Sequence, residues 1–295
     1  MTLGLEGIWS PMPTPLKTDG CVDRQAIRRL VDFLIDGGVD GILALGTSGE
    51  FALLSVEERR DVLESVVDQA NGRVPIVGGV SDPSIDNVIH FSKDAKDAGV
   101  DGVIATPLYY YETTSEGLYE YFKTISQRTD LPLLVYNIPD WTHVFVPLDI
   151  VKRLADEKLI VGMKYTEYNL LNLLRFLNAL RGKIAVFTGS DAMAYTNLEF
   201  GGSGAIIGVS NVAPKMASRI FDEFKADNHK GAREAQVSLL PLIEAIGIGK
   251  FPAGLKETMS LIGMPIGSPR IPLPRLSEGE RQLVREILNR SGFLH

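Results

Sequence analysis

The sequence predicts a single (β/α)₈ barrel followed by an α-helical C-terminal region. Short apolar runs alternate eight times with longer stretches of helical periodicity, as an eight-stranded α/β barrel requires. The segment GGVDGILALG at 37–46 resembles AGVDGVIATP at 98–107, and their offset of 61 residues equals two βα units of about 30 residues. After residue 226 the strand patterns stop and only helical patterns follow. We therefore expect a catalytic barrel over 1–225 and a helical region over 226–295.

The strands are predicted from continuous apolar runs, the pattern of strands that are buried on both faces of a parallel sheet. The run GILAL at 41–45 is the clearest example. The other predicted strands are 7–13, 74–77, 102–106, 133–137, 160–164, 185–188 and 205–207.

The helices are predicted from apolar residues at helical spacing and from capping signals. Asp23 offers an N-cap to the first helix, which Gly37 ends. Ser55 and Glu58 have the spacing of a capping box at the start of the second. The other helices predicted in the barrel are 84–98, 115–128, 148–157, 169–181, 191–200 and 214–226. Those predicted in the helical region are 229–247, 251–262 and 277–291, with a proline-rich connector over 265–274.

The composition excludes several classes of protein. A net charge of −7 supplies no basic field for nucleic acid. One cysteine, Cys21, and four scattered histidines exclude a disulfide scaffold and a cysteine-built metal site. No uncharged apolar run reaches the ~18 residues of a membrane helix, and the N-terminal residues lack the features of a signal peptide. We expect a cytoplasmic protein whose chemistry, if it is an enzyme, comes from Lys, Tyr, Ser, Thr, Asp or Glu.

Polar residues at the ends of the predicted strands are the candidate functional residues, because barrel active sites form at that end. Lys164 ends the run LIVGMK, and a desolvated lysine there would retain free amine to form a Schiff base with a ketone. The alternative is a strand-end lysine whose ammonium reaches solvent. Tyr136 lies near the end of the preceding strand, where a phenol can relay protons. The alternative interpretation of Tyr136 is a tyrosine of the hydrophobic core whose hydroxyl lies at the rim of the barrel.

Three further segments follow strands. GTSGE at 46–50 can form a tight turn that directs backbone N–H groups and two hydroxyls at an anion, or it can be an ordinary βα turn. GSD at 189–191 can hold a hydroxyl-rich ligand or begin the next helix. The tyrosines of LYYYE at 108–112 can pack an interface or act chemically. The placement of all these signals on one face of the barrel favours a functional site there.

GTSGE, the TP-x-YY segment, YNIP and the strand-end GxK together resemble the dihydrodipicolinate synthase / N-acetylneuraminate lyase family. Members of that family are class I, pyruvate-dependent aldolases on a (β/α)₈ barrel. The resemblance extends over nearly the whole chain, including GGSGAIIGVSNV at 201–212 and the C-terminal helices.

The resemblance implies four catalytic residues. Lys164 matches the lysine that forms a Schiff base with pyruvate or another 2-oxo acid, and Tyr136 matches the tyrosine that relays protons. Thr47 matches the hydroxyl that links this tyrosine to a second one. Tyr109 matches the second tyrosine, which in the family reaches into a neighbouring subunit. A homo-oligomer, a dimer or a tetramer, is therefore expected.

The resemblance also implies the substrate-binding residues. Ser48 matches the residue that binds the pyruvate carboxylate, and Ile206 matches the residue whose carbonyl lies beside the keto acid. Thr166, Gly189 and Asp191 match positions that hold the hydroxylated tail in the sugar-acid lyases. Because the protonated imine is itself the electron sink, we expect no metal and no cofactor.

One departure from the family pattern bears on the substrate. Dihydrodipicolinate synthases have an arginine two residues after the YNxP proline, whereas this chain has Trp141, followed by Thr142 and His143. An indole cannot replace the two-pronged guanidinium that grips a carboxylate. The main expectation is therefore a lyase that joins or separates pyruvate and an aldehyde, acting on a 2-keto-3-deoxy sugar acid or a similar hydroxylated 2-oxo acid. The alternatives are dihydrodipicolinate synthase, which condenses pyruvate with aspartate semialdehyde, a dehydratase of the family, and a non-catalytic barrel that binds a small anion.

Overall fold

Eight parallel strands close into a barrel in the order of the sequence. The structure is a computed structural model that describes residues 3–294. Pairing of Gly7 with Gly204 and of Trp9 with Ile206 joins the last strand to the first. The strands are β1 Gly7–Pro11, β2 Gly41–Ala44, β3 Ile76–Gly79, β4 Gly102–Ala105, β5 Leu133–Asn137, β6 Gly162–Tyr165, β7 Ala185–Thr188 and β8 Gly204–Ile206. The predicted (β/α)₈ barrel with additional C-terminal helices is confirmed.

The helices begin where the capping signals predict. The Asp23 carboxylate accepts from the N–H groups of Gln25 and Ala26, and Ser55 and Glu58 form a capping box. The helices that follow the strands are α1 Arg24–Asp36, α2 Val56–Ala70, α3 Ile85–Ala98, α4 Ser115–Arg128, α5 Pro139–Thr142, α6 Leu148–Asp156, α7 Leu170–Leu180, α8 Ala194–Glu199 and α9 Pro214–Lys225. The C-terminal helices are α10 His229–Ser238, α11 Leu240–Ile246, α12 Ala253–Leu261 and α13 Glu278–Arg290.

Some boundaries differ from the predictions for local reasons. β2 ends at Ala44 because Leu45 adopts φ of +58°, which turns the chain into GTSGE. β3 lies two residues later than the predicted 74–77. The helix predicted over 229–247 is divided into α10 and α11, with Pro241 in the first turn of α11, where a residue without an N–H is tolerated.

Apolar side chains fill both the inside of the barrel and the layer between strands and helices. Inside the barrel, Trp9 meets Phe187 edge to face, with ring centroids 5.9 Å apart. Gly41 makes room for this indole, because a Cβ there would lie 2.4 Å from the ring. The outer layer continues into the C-terminal helices through buried residues such as Leu242 and Leu255. Within the described residues, no helix is both long and apolar enough to cross a membrane.

Candidate active site

Lys164 and Tyr136 lie side by side at the mouth of the barrel. They are register partners on β6 and β5, so their side chains emerge from the same face of the sheet, toward the barrel interior. Lys164 is only 4% exposed, and its Nζ lies 4.4 Å from the centroid of the Tyr136 ring. The alternative of a solvent-reaching lysine therefore does not apply. The amine is buried against the phenol predicted to act with it.

Thr47 brings a second hydroxyl to this pair. Its Oγ1 lies 3.2 Å from the Tyr136 hydroxyl, within hydrogen-bond distance. Thr47 belongs to the turn after β2, whereas Tyr136 is on β5, so only the closed barrel brings them together. Two exchangeable hydroxyl groups in contact form a path along which a proton can move near Lys164.

The GTSGE turn leaves donors free at the mouth of the barrel. The N–H groups of Gly49 and Glu50 donate to the carbonyls of Gly46 and Thr47, at 3.0 and 3.1 Å. Within residues 3–294, the N–H groups of Thr47 and Ser48 have no acceptor. Ser48 is also buried, and it faces the same cavity as Lys164. The turn thus presents a hydroxyl next to unused N–H groups, a suitable arrangement for a carboxylate.

A cavity of about 230 Å³ surrounds these groups. Every predicted site residue except Tyr109 lines it. The predicted residues are Thr47, Ser48, Tyr136, Trp141, Lys164, Thr166, Gly189, Asp191 and Ile206. Lys164 is the only lysine or arginine among the described residues that line the cavity.

Gly189 allows the chain after β7 to approach Lys164. A Cβ at this position would lie 1.9 Å from Thr166 Oγ1 and 2.8 Å from Lys164 Cε, so a larger residue would displace both side chains. Thr166 Oγ1 is buried and has no hydrogen-bond partner within residues 3–294. Such an unpaired hydroxyl in a substrate cavity is available to a polar group of the ligand.

Asp191 is a half-buried residue whose carboxyl lies on the same side of the cavity. Burial raises its pKa to about 6, although the N–H of Val209, at 2.6 Å, and the charge of Lys164 act in the opposite direction. Asp191 begins a short 3₁₀ turn and does not cap it with its side chain. Gln236 of α10 donates to its backbone carbonyl at 3.0 Å, which holds the turn in place. Asp191 thus lines the Lys164 cavity on a turn that is held at both its backbone and its side chain.

Comparison with known proteins identifies the family. The model of the dihydrodipicolinate synthetase family matches residues 4–291. The chain belongs to this family. It is 34% identical over 281 residues to the 4-hydroxy-tetrahydrodipicolinate synthase of Syntrophus aciditrophicus, covering 95% of this chain and 96% of that protein. It is 35% identical over 292 residues to the 4-hydroxy-tetrahydrodipicolinate synthase of Thermotoga neapolitana, covering 98% of this chain and 99% of that protein.

Solved structures of the family agree with this assignment. The dihydrodipicolinate synthase of Aquifex aeolicus superposes with a TM-score of 0.93 at 31% identity, covering 98% of each chain. YagE of E. coli K12, a prophage protein of the dihydrodipicolinic acid synthase family in complex with pyruvate, superposes with a TM-score of 0.94 at 28% identity, covering 98% of this chain and 99% of that one. Membership confirms the predicted enzyme class, a carbon–carbon lyase that acts through a lysine Schiff base. The names of the relatives agree better with the alternative expectation, dihydrodipicolinate synthase, than with the sugar-acid lyase.

Tyr109, the residue matched to the family's second tyrosine, lies apart from the Lys164 cavity. It is half-buried and lines an adjoining cavity of about 230 Å³. Burial raises the pKa of its phenol, and Asp82 adds to that effect. The next residue, Tyr110, is 87% exposed and adopts φ of +83°, which is strained for a residue with a Cβ. Tyr110 and Tyr111, which is 67% exposed, are thus the tyrosines that project from this segment, and the role matched to Tyr109 stays a prediction.

Trp141 stands between the two cavities. They share Thr47, Ile138, Trp141 and Phe251. The indole is 53% exposed, and its ring meets Phe251 edge to face with centroids 6.0 Å apart. No arginine is among the described residues that line either cavity. The position that in dihydrodipicolinate synthases carries a guanidinium is here part of an aromatic wall.

Part of this wall comes from residues that sequence reasoning missed. Ile243, Ile246, Gly247 and Phe251 of the helical region line the Lys164 cavity, as does Tyr168 after β6. The apolar residues among them are spaced like core residues of amphipathic helices, so their pattern does not indicate a role at the site. The helical region thus supplies one side of the cavity of this family member.

Proposed function

We propose that Lys164 forms an imine with pyruvate, and that the protein makes or breaks a carbon–carbon bond between C3 of pyruvate and an aldehyde. The observation that supports this most directly is the buried Lys164 amine against Tyr136, whose hydroxyl meets Thr47 at 3.2 Å. The unused donors at Thr47 and Ser48 suit the pyruvate carboxylate. The carbonyl of Ile206 lies on the strand that completes the barrel beside them.

The chemistry follows from these positions. The lone pair of Lys164 Nζ attacks C2 of pyruvate, and the carbonyl oxygen takes a proton from the Tyr136 hydroxyl to give a carbinolamine. The nitrogen returns a proton to Tyr136, and a second transfer from the Tyr136–Thr47 pair to the carbinolamine hydroxyl lets water leave and gives the protonated imine. The Tyr136 phenolate then takes a proton from C3 to give the enamine, C3 attacks the aldehyde carbon, and the aldehyde oxygen takes the proton back from Tyr136. Hydrolysis frees Lys164, and cleavage follows the same steps in reverse.

Borohydride trapping tests the imine. Wild-type protein incubated with pyruvate and borohydride should gain one reduced pyruvate-derived group on the peptide that contains Lys164, because hydride makes the imine permanent. Mass spectrometry of the digest measures the gain. The peptide containing Lys183, a lysine that is paired with Asp156 outside the site, is the internal control and should remain unlabelled. Folded protein without a Lys164 adduct would refute the proposal.

Aspartate semialdehyde is the first candidate for the aldehyde. It is the aldehyde condensed by 4-hydroxy-tetrahydrodipicolinate synthases, the relatives that share about a third of this chain's residues over nearly its full length. The reaction would then be the condensation that forms 4-hydroxy-tetrahydrodipicolinate.

A hydroxylated aldehyde, derived from a 2-keto-3-deoxy sugar acid, is the second candidate because of Trp141. The cavity offers Thr166 and Asp191 as polar contacts but no arginine for a second carboxylate. Short hydroxyl and carboxyl contacts suit a polyol, whereas a second carboxylate would lie against an aromatic wall. Initial rates with pyruvate and each aldehyde decide between the two candidates.

Replacing Trp141 with arginine should shift this preference. We expect Trp141→Arg to raise kcat/KM for aspartate semialdehyde, relative to a hydroxylated aldehyde, by about tenfold or more, because a charge-assisted contact to a carboxylate contributes ~1.5–3 kcal/mol. Coupled assays on both aldehydes measure the ratio. Trp141→Leu, which removes the indole without adding a charge, is the matched control and should not favour aspartate semialdehyde. An unchanged ratio in Trp141→Arg would contradict the role of this position in choosing the aldehyde.

We also propose that the protein acts as a homo-oligomer. Tyr110 supports this, because a strained and exposed aromatic residue beside the active-site face is typical of a contact with another chain. The second tyrosine expected from the family, matched to Tyr109, would then reach the site of a neighbouring subunit.

A further inference from the structure

A buried ion pair connects the helical region to the active-site turn. Lys256 Nζ on α12 lies 2.5 Å from Glu50 Oε1, and each side chain is only 1% exposed. Glu50 is the last residue of GTSGE, the turn that presents Thr47 and Ser48 to the Lys164 cavity. Neither residue of the pair lines that cavity. Two charges have therefore been buried directly behind the candidate carboxylate-binding turn.

The pair belongs to a closed ring of contacts around the turn. Lys256 Nζ donates to the carbonyl of Thr14 at 3.0 Å and to that of Ser268 at 3.3 Å. The Thr14 hydroxyl donates at 2.7 Å to the carbonyl of Gly49, the residue before Glu50. The ring thus ties the chain after β1, the GTSGE turn and α12 to one another.

The other carboxylate oxygen of Glu50 is held as well. The backbone N–H of Arg270, in the connector between α12 and α13, donates to Glu50 Oε2 at 2.7 Å. The Arg270 guanidinium binds both oxygens of Glu58 at 2.5 Å and the carbonyl of Leu53 at 3.0 Å. The connector is therefore clamped to α2, and Glu50 is held in its left-handed backbone conformation, φ +56°.

Stability alone does not account for this pair. Burial lowers the pKa of Lys256, because it disfavours the ammonium, whereas the charge of Glu50 and its hydrogen bond act in the opposite direction. Buried ion pairs can often be replaced by apolar side chains of similar volume without loss of stability. What apolar side chains cannot reproduce is orientation, because they make no directional contacts to the carbonyl of Thr14 or the N–H of Arg270.

We infer that Glu50 and Lys256 are positioning residues, which hold the GTSGE turn so that Thr47 and Ser48 face the pyruvate carboxylate and Tyr136. This inference rests on the proposed function, because it takes the turn to be the pyruvate-binding element. It makes the helical region part of the binding framework for pyruvate and not only a cover on the barrel. The pair acts through the turn, and it contacts neither pyruvate nor Lys164.

The test replaces both charges at once. In the double variant Glu50→Leu/Lys256→Met, no unpaired charge is left buried, so the protein should fold, with an unfolding midpoint lowered only by the lost contacts to Thr14, Ser268 and Arg270. The KM for pyruvate should rise about tenfold or more, since small displacements of binding groups have large kinetic effects. The KM should change more than kcat, because Lys164 and Tyr136 are held by β6 and β5. The pyruvate concentration that gives half-maximal borohydride trapping should rise in parallel.

Two more variants make the outcome decisive. The matched control is Glu257→Gln on the same helix, which removes the ion pair of Glu257 with Arg281 at 3.8 Å. This variant should keep the wild-type KM for pyruvate. Glu50→Gln retains an acceptor for Arg270, so its KM should lie between those of wild type and the double variant. If the double variant does not fold, the KM of Glu50→Gln for pyruvate tests the inference in its place.

A folded double variant with the wild-type KM for pyruvate would overturn the inference. The inference would also be overturned if the activity lost in either Glu50 variant were fully explained by a smaller fraction of folded protein. If wild-type protein itself forms no trapped imine, the proposed function fails first, and this inference fails with it.

Discussion

Replacing Lys164 with alanine should lower kcat/KM by about four orders of magnitude or more, a loss typical of removing a covalent nucleophile. Without the amine no imine forms, so the electron pair left on C3 has no iminium nitrogen to accept it. The described residues that line the cavity include no second lysine to take its place. Steady-state rates, together with the loss of the borohydride adduct, measure the effect.

The fold should survive this substitution. Lys164 makes no ion pair within residues 3–294, and Asp191, whose pKa its charge lowers, keeps the hydrogen bond from the N–H of Val209 when the lysine is removed. The matched control is Lys183→Ala, because Lys183 lines a separate hollow at the N-terminal end of the strands and should not affect the rate. If Lys164→Ala bound pyruvate as tightly as wild type, the alternative of a non-catalytic anion-binding barrel would replace the aldolase.

Replacing Tyr136 with phenylalanine should lower kcat by about 10²- to 10⁴-fold while leaving the fold intact. The ring packs inside the barrel and remains, whereas the hydroxyl that exchanges protons with Thr47 is lost. Imine formation needs this proton transfer, so the rate of borohydride trapping should fall together with turnover. Single-turnover trapping and steady-state assays measure the two rates.

A double-mutant cycle tests whether the two hydroxyls act together. Thr47→Val should lower the rate less than Tyr136→Phe, and the double variant should be little slower than Tyr136→Phe, because both changes interrupt the same proton path. Tyr119→Phe is the matched control, since the Tyr119 hydroxyl bonds Glu157 among the outer helices at 2.6 Å. Strict additivity of the Thr47 and Tyr136 effects would count against a shared path.

Much of the barrel could be predicted from the residues alone. The runs that became β2, β4 and β5 are continuously apolar because parallel strands are covered on both faces, and capping residues such as Asp23 and Ser55 are local signals. Boundaries were less accurate where backbone conformation decided them. The positive φ of Leu45, which ends β2, has no signature in the sequence.

The candidate site was predicted in part. The rule that function lies at strand ends selected Lys164, Tyr136 and the GTSGE turn, and the structure brings them into one cavity. The rule did not distinguish Tyr109 from Tyr110, because consecutive tyrosines differ only in backbone conformation and exposure. The division of the chain at 225 and 226 also stays a prediction.

By itself the sequence determined the barrel, the strand-end lysine and the absence of an arginine at Trp141, because periodicity and residue type are local properties. Only the tertiary structure decided which groups meet. The contact between Thr47 and Tyr136, 89 residues apart, exists because the barrel closes. The Glu50–Lys256 pair, and the wall formed by Ile243 and Phe251, exist because the helical region folds back over the barrel mouth. Contacts between residues so distant in the chain depend on packing, which no local pattern encodes.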